Sequence, residues 1–239
     1  MAGKMLELNK IHLGNCFDLM KELPDGSIDL IVTDIPYKMY PRCRTARNGF
    51  APEFSHINKQ SDLFRVGLPD PVKMMEEFYR IVKPQAHLYM FLGIRDFLPI
   101  LNAAEKAGWE LLDQLIWAKR TKIMSRYFMK QVEHIYMFCR KKDRRKRCNK
   151  PSTSNLLNCP IVQKKRGKTK RHPTEKPLTL LETLITMSSN EGDIILDAFA
   201  GSGSTGVASV RNKRNFIGME LNEKYTKEGN KWIKEEEVK

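Results

Sequence analysis

The sequence lacks the features that would direct it into or across a membrane. None of its 239 residues belongs to an uninterrupted apolar run of about 18, the length that a membrane-spanning helix requires. The first ten residues, MAGKMLELNK, contain no apolar secretory core. The five cysteines are odd in number and irregularly spaced, which disfavours a disulfide framework. We therefore expect a soluble protein of the reducing cytoplasm, with no membrane partner.

The sequence also lacks a metal-binding cysteine pair. Cys139, Cys148, Cys159 and His172 could be combined into a zinc site, but no C-x-x-C spacing occurs among them. Structural zinc sites usually take two ligands from such a short spacing. We therefore predict no metal site.

Acidic residues are scarce in one part of the chain only. Residues 140–171 contain fourteen Lys or Arg and a single acid, Asp143, so this segment supplies +13 of the net charge of +14. A surface of one sign suits a polyanion, because basic side chains that neutralise phosphates release condensed counterions. A solvated loop would have the same composition. Charge alone therefore indicates nucleic acid or an acidic membrane surface, without deciding between them.

Strand-like apolar runs alternate with amphipathic helical segments, which is typical of an α/β fold with a mostly parallel sheet. Residues 41–69 contain several prolines and polar residues and are expected to form a long loop. The pattern predicts strands at 10–14, 27–34, 86–93, 109–119, 132–140, 193–198 and 215–220, and helices at 16–23, 70–84, 95–107, 176–190 and 203–212.

The segment GDIILDAFAGSGSTG (192–206) has the pattern of a ligand-binding turn. Gly201, Gly203 and Gly206 spell G-x-G-x-x-G between a predicted strand and a predicted helix, and the next strand ends at Glu220. Glycines allow close approach of the backbone, a helix N-terminus presents free N–H groups, and an acid can accept from ribose hydroxyls. This context favours a nucleoside cofactor over a purely structural turn.

Two nucleoside cofactors compete for this turn, a dinucleotide and S-adenosylmethionine. Asp197 precedes the glycines, where its carboxylate would repel a pyrophosphate and attract the α-ammonium group of S-adenosylmethionine. Phe199 would supply an apolar wall. The order D-x-F-x-G-x-G therefore favours S-adenosylmethionine.

Several motifs in a fixed order resemble those of the amino-methylating DNA methyltransferases. LDAFAGSGSTG and FIGMEL look like their S-adenosylmethionine site, and TDIPY (33–37) resembles their D-P-P-Y catalytic loop. HLGNCFDLMKELPDGSIDLIVTDIPY, IWAKR and RHPTEKP are similar to further stretches of the family. The catalytic motif precedes the cofactor motif and the basic segment lies between them, which is the order of the β class.

This resemblance implies a Rossmann-like S-adenosylmethionine methyltransferase fold. The α/β sheet would be mostly parallel and seven-stranded, with helices on both faces and a circularly permuted motif order. Residues 1–140 would form the catalytic half, 141–171 a basic target-recognition insert, and 172–239 the cofactor-binding half of the same domain. If the strands ending at Asp34 and Asp197 are neighbours, both loops open on one crevice at the carboxyl ends of the strands.

The resemblance also implies methyl transfer to the N6 amino group of an adenine that has left the DNA helix. The Asp34 carboxylate and the Ile35 carbonyl would accept the two amino hydrogens, and Tyr37 would stack on the base. Ile35 replaces the usual first proline of the motif, so the carbonyl is kept but some stiffness is lost, while Pro36 still holds residue 35 extended. Asp rather than Ser at position 34 favours adenine. Cytosine N4, an RNA base, and a catalytically silent DNA-binding regulatory protein are the alternatives.

The remaining expectations concern binding. Thr174 and Lys176 could also begin a helix, and Asn15 could be only a turn residue. The implied partner is double-stranded DNA, with a homodimer and a cognate restriction endonuclease as further expectations. By resemblance, the cofactor contacts are Asp197, Phe199, Ala200, Gly201, Gly203, Thr205, Glu220, Lys176, Thr174 and Asn15. The basic residues expected to contact nucleic acid are Lys119, Arg140, Lys141, Lys142, Arg144, Arg145, Arg147, Lys164, Lys165, Arg166, Lys168 and Arg171.

Overall fold

A computed structural model describes residues 5–36, 69–123, 128–143, 148–162 and 175–239. The predicted loop at 41–69 lies almost wholly outside these ranges. A short 3-10 helix covers Lys141–Asp143. The strands are β1 (Lys10–Leu13), β2 (Ile28–Asp34), β3 (Val82–Leu92), β4 (Trp109–Ile123), β5 (Lys130–Arg140), β6 (Leu156–Asn158), β7 (Ile194–Asp197) and β8 (Asn215–Glu220), and the helices are α1 (Cys16–Glu22), α2 (Pro71–Ile81), α3 (Ile94–Ala107), α4 (Leu178–Ser188), α5 (Ser204–Arg211) and α6 (Glu223–Glu237).

The described strands form one mixed sheet in the order β1-β8-β7-β2-β3-β5-β4-β6. The first five strands in this order, β1, β8, β7, β2 and β3, pair in parallel with their neighbours. Strand β5 is antiparallel to both β3 and β4, and β6 is parallel to β4. The predicted α/β fold is therefore confirmed. The described sheet has eight strands where seven were predicted.

The additional strand is β6, which lies inside the segment predicted to be a separate insert. Leu156 and Asn158 are exposed and Leu157 is half-buried, so this three-residue edge strand shows no continuous apolar signal. It pairs with Ile116–Ala118 of β4. Cys159, just after it, is buried in the hydrophobic core. The segment that follows β5 is thus partly built into the sheet.

Helices cover both faces of the sheet, as the resemblance implies. On one face, α1, α2 and α3 contribute Met20, Phe78 and Ile100 to the largest hydrophobic cluster. On the other face, α4 contributes Leu181 and Leu184 to a second cluster. None of the helices in the described ranges is both long enough and apolar enough to cross a bilayer.

Helix α2 shows how local sequence sets an element's limits. The Asp70 side chain accepts hydrogen bonds from the N–H groups of Val72 and Lys73, and Pro71 occupies the first turn. The predicted helix is followed by Pro84, whereas in the structure it ends at Ile81 and β3, which begins at Val82, includes that proline.

The apolar pattern of the sequence does not predict helix α6, because most of its residues are charged or polar. Its apolar contribution comes mainly from Trp232 and Ile233, which pack with Phe216 of β8 and Val207 of α5. Asn222 caps its first turn by accepting from Tyr225 N. This helix thereby supports the glycine-rich turn from behind.

We expect Gly206→Ala to destabilise the fold. A Cβ at this position would lie 2.6 Å from Ile233 Cδ1 and 2.7 Å from ring carbons of Phe216, which cannot move freely in the core. Overpacking of this kind costs roughly 1–3 kcal/mol. Urea denaturation should show a corresponding fall in the free energy of unfolding, and an unchanged midpoint would contradict the packing seen here.

Candidate active site

Strands β2 and β7 are direct neighbours in the sheet, although their paired residues lie 165 positions apart in the sequence. Leu30 pairs with Ile195 and Ile31 with Leu196 in parallel register. The expectation that the strands ending at Asp34 and Asp197 lie side by side is therefore confirmed. At the strand ends the Thr33 hydroxyl donates to Asp197 Oδ1 at 2.9 Å, which joins the two loops through a buried hydrogen bond.

A cavity of about 220 Å³ opens at this edge of the sheet. It is bounded by the ends of β2, β7 and β8, by the start of α1, and by the segment that precedes α4. The sequence-predicted residues among its lining are Asn15, Asp34, Ile35, Pro36, Lys176, Asp197, Phe199, Ala200, Gly201, Thr205 and Glu220. Two motifs from distant parts of the chain thus share one cavity.

Asp197 is held from several directions at the floor of the cavity. Besides Thr33, Thr205 Oγ1 donates to its Oδ2 at 2.7 Å, and Phe199 N donates to its Oδ1 at 3.1 Å. Burial raises the pKa of this carboxyl to about 6, against the opposing effect of these hydrogen bonds. Thr205 therefore acts in this structure as a support for Asp197.

Glu220 is fixed by the main chain at the end of β8. Its Oε2 accepts from Gly201 N at 2.9 Å and its Oε1 from Asn222 N at 2.8 Å. Burial raises the pKa of Glu220, although these N–H donors act in the opposite direction. The carboxylate borders the cavity in a fixed orientation, with lone pairs left for a hydroxyl donor.

Two different constraints require glycine in this turn, a positive φ and close packing against another helix. Gly201 and Gly203 adopt φ of 50° and 82°, a conformation that favours glycine. At Gly203 a Cβ would also approach within 3.0 Å of Gly229 Cα in α6. Gly203 is absent from the cavity lining. The turn packs closely on α6 at this residue, and the predicted cofactor contact of Gly203 stays a prediction.

The catalytic-loop motif begins at the end of β2. Ile35 is 1% exposed and belongs to the main hydrophobic cluster. A buried isoleucine side chain restricts this residue through packing, whereas a proline would restrict it through its ring. Tyr37 and Thr174 lie outside the described residues, so their predicted contacts remain predictions.

Lys176 lies against the carboxylate of the motif. Its Nζ is 2.5 Å from Asp34 Oδ2 and 4.9 Å from the ring centroid of Phe91. The resemblance implies a contact between this lysine and the cofactor. It does border the cavity, but in the structure it pairs with Asp34. Burial raises the pKa of Asp34, and Lys176 partly offsets that rise.

Glu133 is a further charged residue of this region, and no motif in the sequence indicates it. Its Oε2 is 3.5 Å from Lys176 Nζ, and its Oε1 is 2.5 Å from Lys119 Nζ. Burial raises the pKa of Glu133, but the two lysines outweigh burial and the net direction is downwards. Its position in a strand of mostly apolar residues gives no local signal of this role.

Lys119, which is predicted to contact nucleic acid, is buried and ion-paired in the structure. It is 7% exposed, and its ammonium group also lies 4.9 Å from the Trp117 ring centroid. A buried, ion-paired lysine cannot reach a phosphate without breaking that pair. A phosphate contact would therefore cost this ion pair, and the predicted contact of Lys119 with nucleic acid stays a prediction.

The end of β5 that carries Arg140, Lys141 and Lys142 lies on the side of the sheet where β3 and β4 begin, at the opposite ends of the strands from the cavity. Arg140 pairs with Trp109 at the start of β4 and stacks over the Tyr79 ring at 4.3 Å, while its Nη1 donates to Val82 O at the start of β3. These residues are therefore separated from Asp34 by the length of the strands. The other basic residues predicted to contact nucleic acid, at 144, 145, 147, 164, 165, 166, 168 and 171, lie outside the described ranges.

Asn15 is the N-cap of α1, where its Oδ1 accepts from Phe17 N at 2.9 Å. It also borders the cavity. Its position is thus compatible with both predictions, a turn residue and a neighbour of the ligand.

The comparisons with known proteins agree with this architecture. A family model described as DNA methylase matches residues 28–231. The type II methyltransferase M.HpaI of Haemophilus parainfluenzae is 29% identical over 90% of this chain and 71% of its own length. The DNA adenine methyltransferase YhdJ of Escherichia coli is 26% identical over 93% of this chain and 82% of its own. The crystal structure of the M1.HpyAVI–SAM complex superposes with a TM-score of 0.66 and 25% identity, covering 93% of this chain and 98% of that one.

The fold and the site define an S-adenosylmethionine-dependent methyltransferase. The chain belongs to the DNA methylase family that includes N6-adenine and N4-cytosine enzymes, since the matched region covers most of its length. The cavity fits the cofactor chemically. Glu220 presents a carboxylate suited to ribose hydroxyls, Asp197 a carboxylate suited to an ammonium group, and Phe199 an apolar surface.

We expect Ile35→Ala to lower the free energy of unfolding by about 2–5 kcal/mol, because it removes a fully buried side chain from the main core. Ile35→Val should cost only about 0.5–1.5 kcal/mol. Both values can be measured by urea denaturation of the apoprotein. Equal stability of all three proteins would show that this side chain does not anchor the loop.

Proposed function

We propose that this protein transfers a methyl group from S-adenosylmethionine to the N6 amino group of an adenine flipped out of double-stranded DNA. The observation that carries the proposal is the shared cavity, which places the Asp34-Ile35-Pro36 segment beside Asp197 and Glu220. Aspartate at the first motif position favours adenine by resemblance. The assignment to adenine also agrees with the name of one relative, the DNA adenine methyltransferase YhdJ.

The adenine amino group needs activation because its lone pair is delocalised into the ring. In the proposed geometry Asp34 and the Ile35 carbonyl accept its two hydrogens, which favours a pyramidal nitrogen with an available lone pair. Bound S-adenosylmethionine supplies an electrophilic methyl group. Holding the nitrogen in line with that methyl group lowers the barrier further, because the two reacting atoms are already aligned.

The proton balance assigns a second task to Asp34. As the N6 nitrogen bonds to the methyl carbon, the carbon–sulfur bond breaks and its electron pair stays on sulfur. The nitrogen becomes positively charged and must lose one of its hydrogens as a proton. Asp34 is 23% exposed in its side chain, so its carboxylate can take that proton and release it to solvent.

Cofactor affinity should depend on the ionisation of Asp197. In the proposed pose its carboxylate faces the α-ammonium group, so binding favours the ionised form. Because its pKa is about 6, affinity for S-adenosylmethionine should fall as the pH drops from 7 to 5. Isothermal titration calorimetry of the wild type and Asp197→Asn tests this. The variant should bind more weakly at pH 7 and show little change over that range, whereas identical pH dependence in both proteins would exclude the proposed contact.

The base assignment can be tested directly. The protein should transfer label from tritiated S-adenosylmethionine to unmodified DNA, and digestion to nucleosides should recover the label in N6-methyldeoxyadenosine. Asp34→Asn should reduce transfer by roughly 100-fold or more, because the amide lacks the charge and basicity of the carboxylate. Cofactor affinity should be largely kept, because the proposed cofactor contacts Asp197 and Glu220 are unchanged. Asp18→Asn, on the exposed side of α1, is the matched control and should behave as the wild type.

Other outcomes of the same assay separate the alternatives. Label in N4-methyldeoxycytidine would overturn the adenine assignment, and label in RNA alone would overturn the DNA substrate. Cofactor binding without transfer to any nucleic acid would favour a silent DNA-binding protein of the same fold.

A further inference from the structure

Four charged side chains form a row in which negative and positive charges alternate, and this row leads away from the cavity. Asp34 contacts Lys176, Lys176 contacts Glu133, and Glu133 contacts Lys119, with separations of 2.5, 3.5 and 2.5 Å. Both lysine side chains are 8% exposed. Of these four, only Asp34 and Lys176 border the cavity.

The sheet explains how these groups meet. Asp34 of β2 is paired with Phe91 of β3, which is paired with Ile135 of β5. Glu133 lies two residues from Ile135 and therefore on the same face of β5. Lys176 lies over the Phe91 ring and so spans the strand between the two carboxylates. Lys119, on the neighbouring strand β4, closes the row on the far side of Glu133.

We propose that Glu133 and Lys119 are positioning residues for methyl transfer, which act through Lys176 to set how strongly the Asp34 carboxylate attracts a proton. Glu133 draws the Lys176 ammonium away from Asp34, and Lys119 limits that pull by sharing the charge of Glu133. The inference rests on the proposed role of Asp34 as acceptor of the N6 proton.

The competition for Lys176 has a chemical consequence. If the ammonium served Asp34 alone, the carboxylate would be a weaker acceptor for the amino hydrogens and for the departing proton. If Glu133 took the ammonium completely, Asp34 would become protonated too readily in its half-buried position. The charged groups acting on Asp34 are Lys176, Glu133 and Lys119, and Asp197 on β7 lies beside it. Burial raises the pKa of Asp34 and Glu133 adds to that rise, whereas both lysines act against it.

Two substitutions should therefore shift the pH dependence of the reaction in opposite directions. The measurement is the single-turnover rate of methyl transfer to DNA at saturating cofactor, recorded as a function of pH. Its acid limb is the pH range in which the rate falls because Asp34 becomes protonated. Glu133→Gln removes a negative charge, so the limb should move to lower pH and the plateau rate should fall about tenfold. Lys119→Met removes a positive charge, so the limb should move to higher pH. Each shift is expected to reach roughly one pH unit.

A matched control breaks a partly buried ion pair at the other edge of the same sheet. Lys83 Nζ is 2.7 Å from Asp29 Oδ1 at the start of β2, far from the cavity. Lys83→Met should leave the limb in place, even if it lowers stability. Glu133→Asp keeps the charge and should retain a limb close to that of the wild type. Cofactor affinity, measured in parallel, should be unchanged in all variants because neither Glu133 nor Lys119 borders the cavity.

Limbs that stay in place, or that move in the same direction in Glu133→Gln and Lys119→Met, would overturn the inference. If Glu133→Gln does not fold, Lys119→Met compared with Lys119→Arg tests it alone, with a shift expected only in the first. If the wild type transfers no methyl group, the proposed function fails, but titration of the Asp34 carboxyl carbon by NMR should still show the opposite shifts. Label in N4-methyldeoxycytidine would change the base assignment and leave the pH comparison valid.

Discussion

The parallel pairing of β2 with β7 is the constraint on which the site depends. It brings the ends of two strands from opposite halves of the chain to one edge of the sheet, where the Thr33–Asp197 hydrogen bond joins them. Without this register, the Asp34 motif and the glycine-rich turn would not share a cavity. The location agrees with the general behaviour of open α/β sheets, in which ligands bind beyond the carboxyl ends of the strands.

The electrostatics of the site follow from burying several charges close together. Asp34 and Asp197 both have raised pKa values because burial disfavours their ionised forms. The protein compensates them differently. Asp197 receives hydrogen bonds from two hydroxyls and a main-chain N–H group, whereas Asp34 receives a lysine that is itself shared with Glu133. The first arrangement suits a fixed binding group, and the second suits a group whose proton affinity must be adjusted.

Much of the fold could be predicted from the sequence, because the seven predicted strands carry continuous apolar signals. Strand β6 could not, since its three residues are mostly exposed and its pairing with β4 is set by tertiary contacts. The two motifs of the site were recognisable from residue types at short spacing. The Asp34–Lys176 pair joins residues 142 positions apart, and nothing in the sequence indicates that Lys119 is buried. Such contacts depend on strand order and on which face of a strand a side chain occupies.

In the proposed function, one cavity holds the cofactor against the Asp34 motif. A crystal structure of the protein with S-adenosylmethionine bound tests it most directly. We expect ribose hydroxyls on Glu220, the ammonium group near Asp197, and the methyl group directed towards the Asp34 carboxylate. A cofactor bound elsewhere on the protein, or one whose methyl group points away from Asp34, would contradict it.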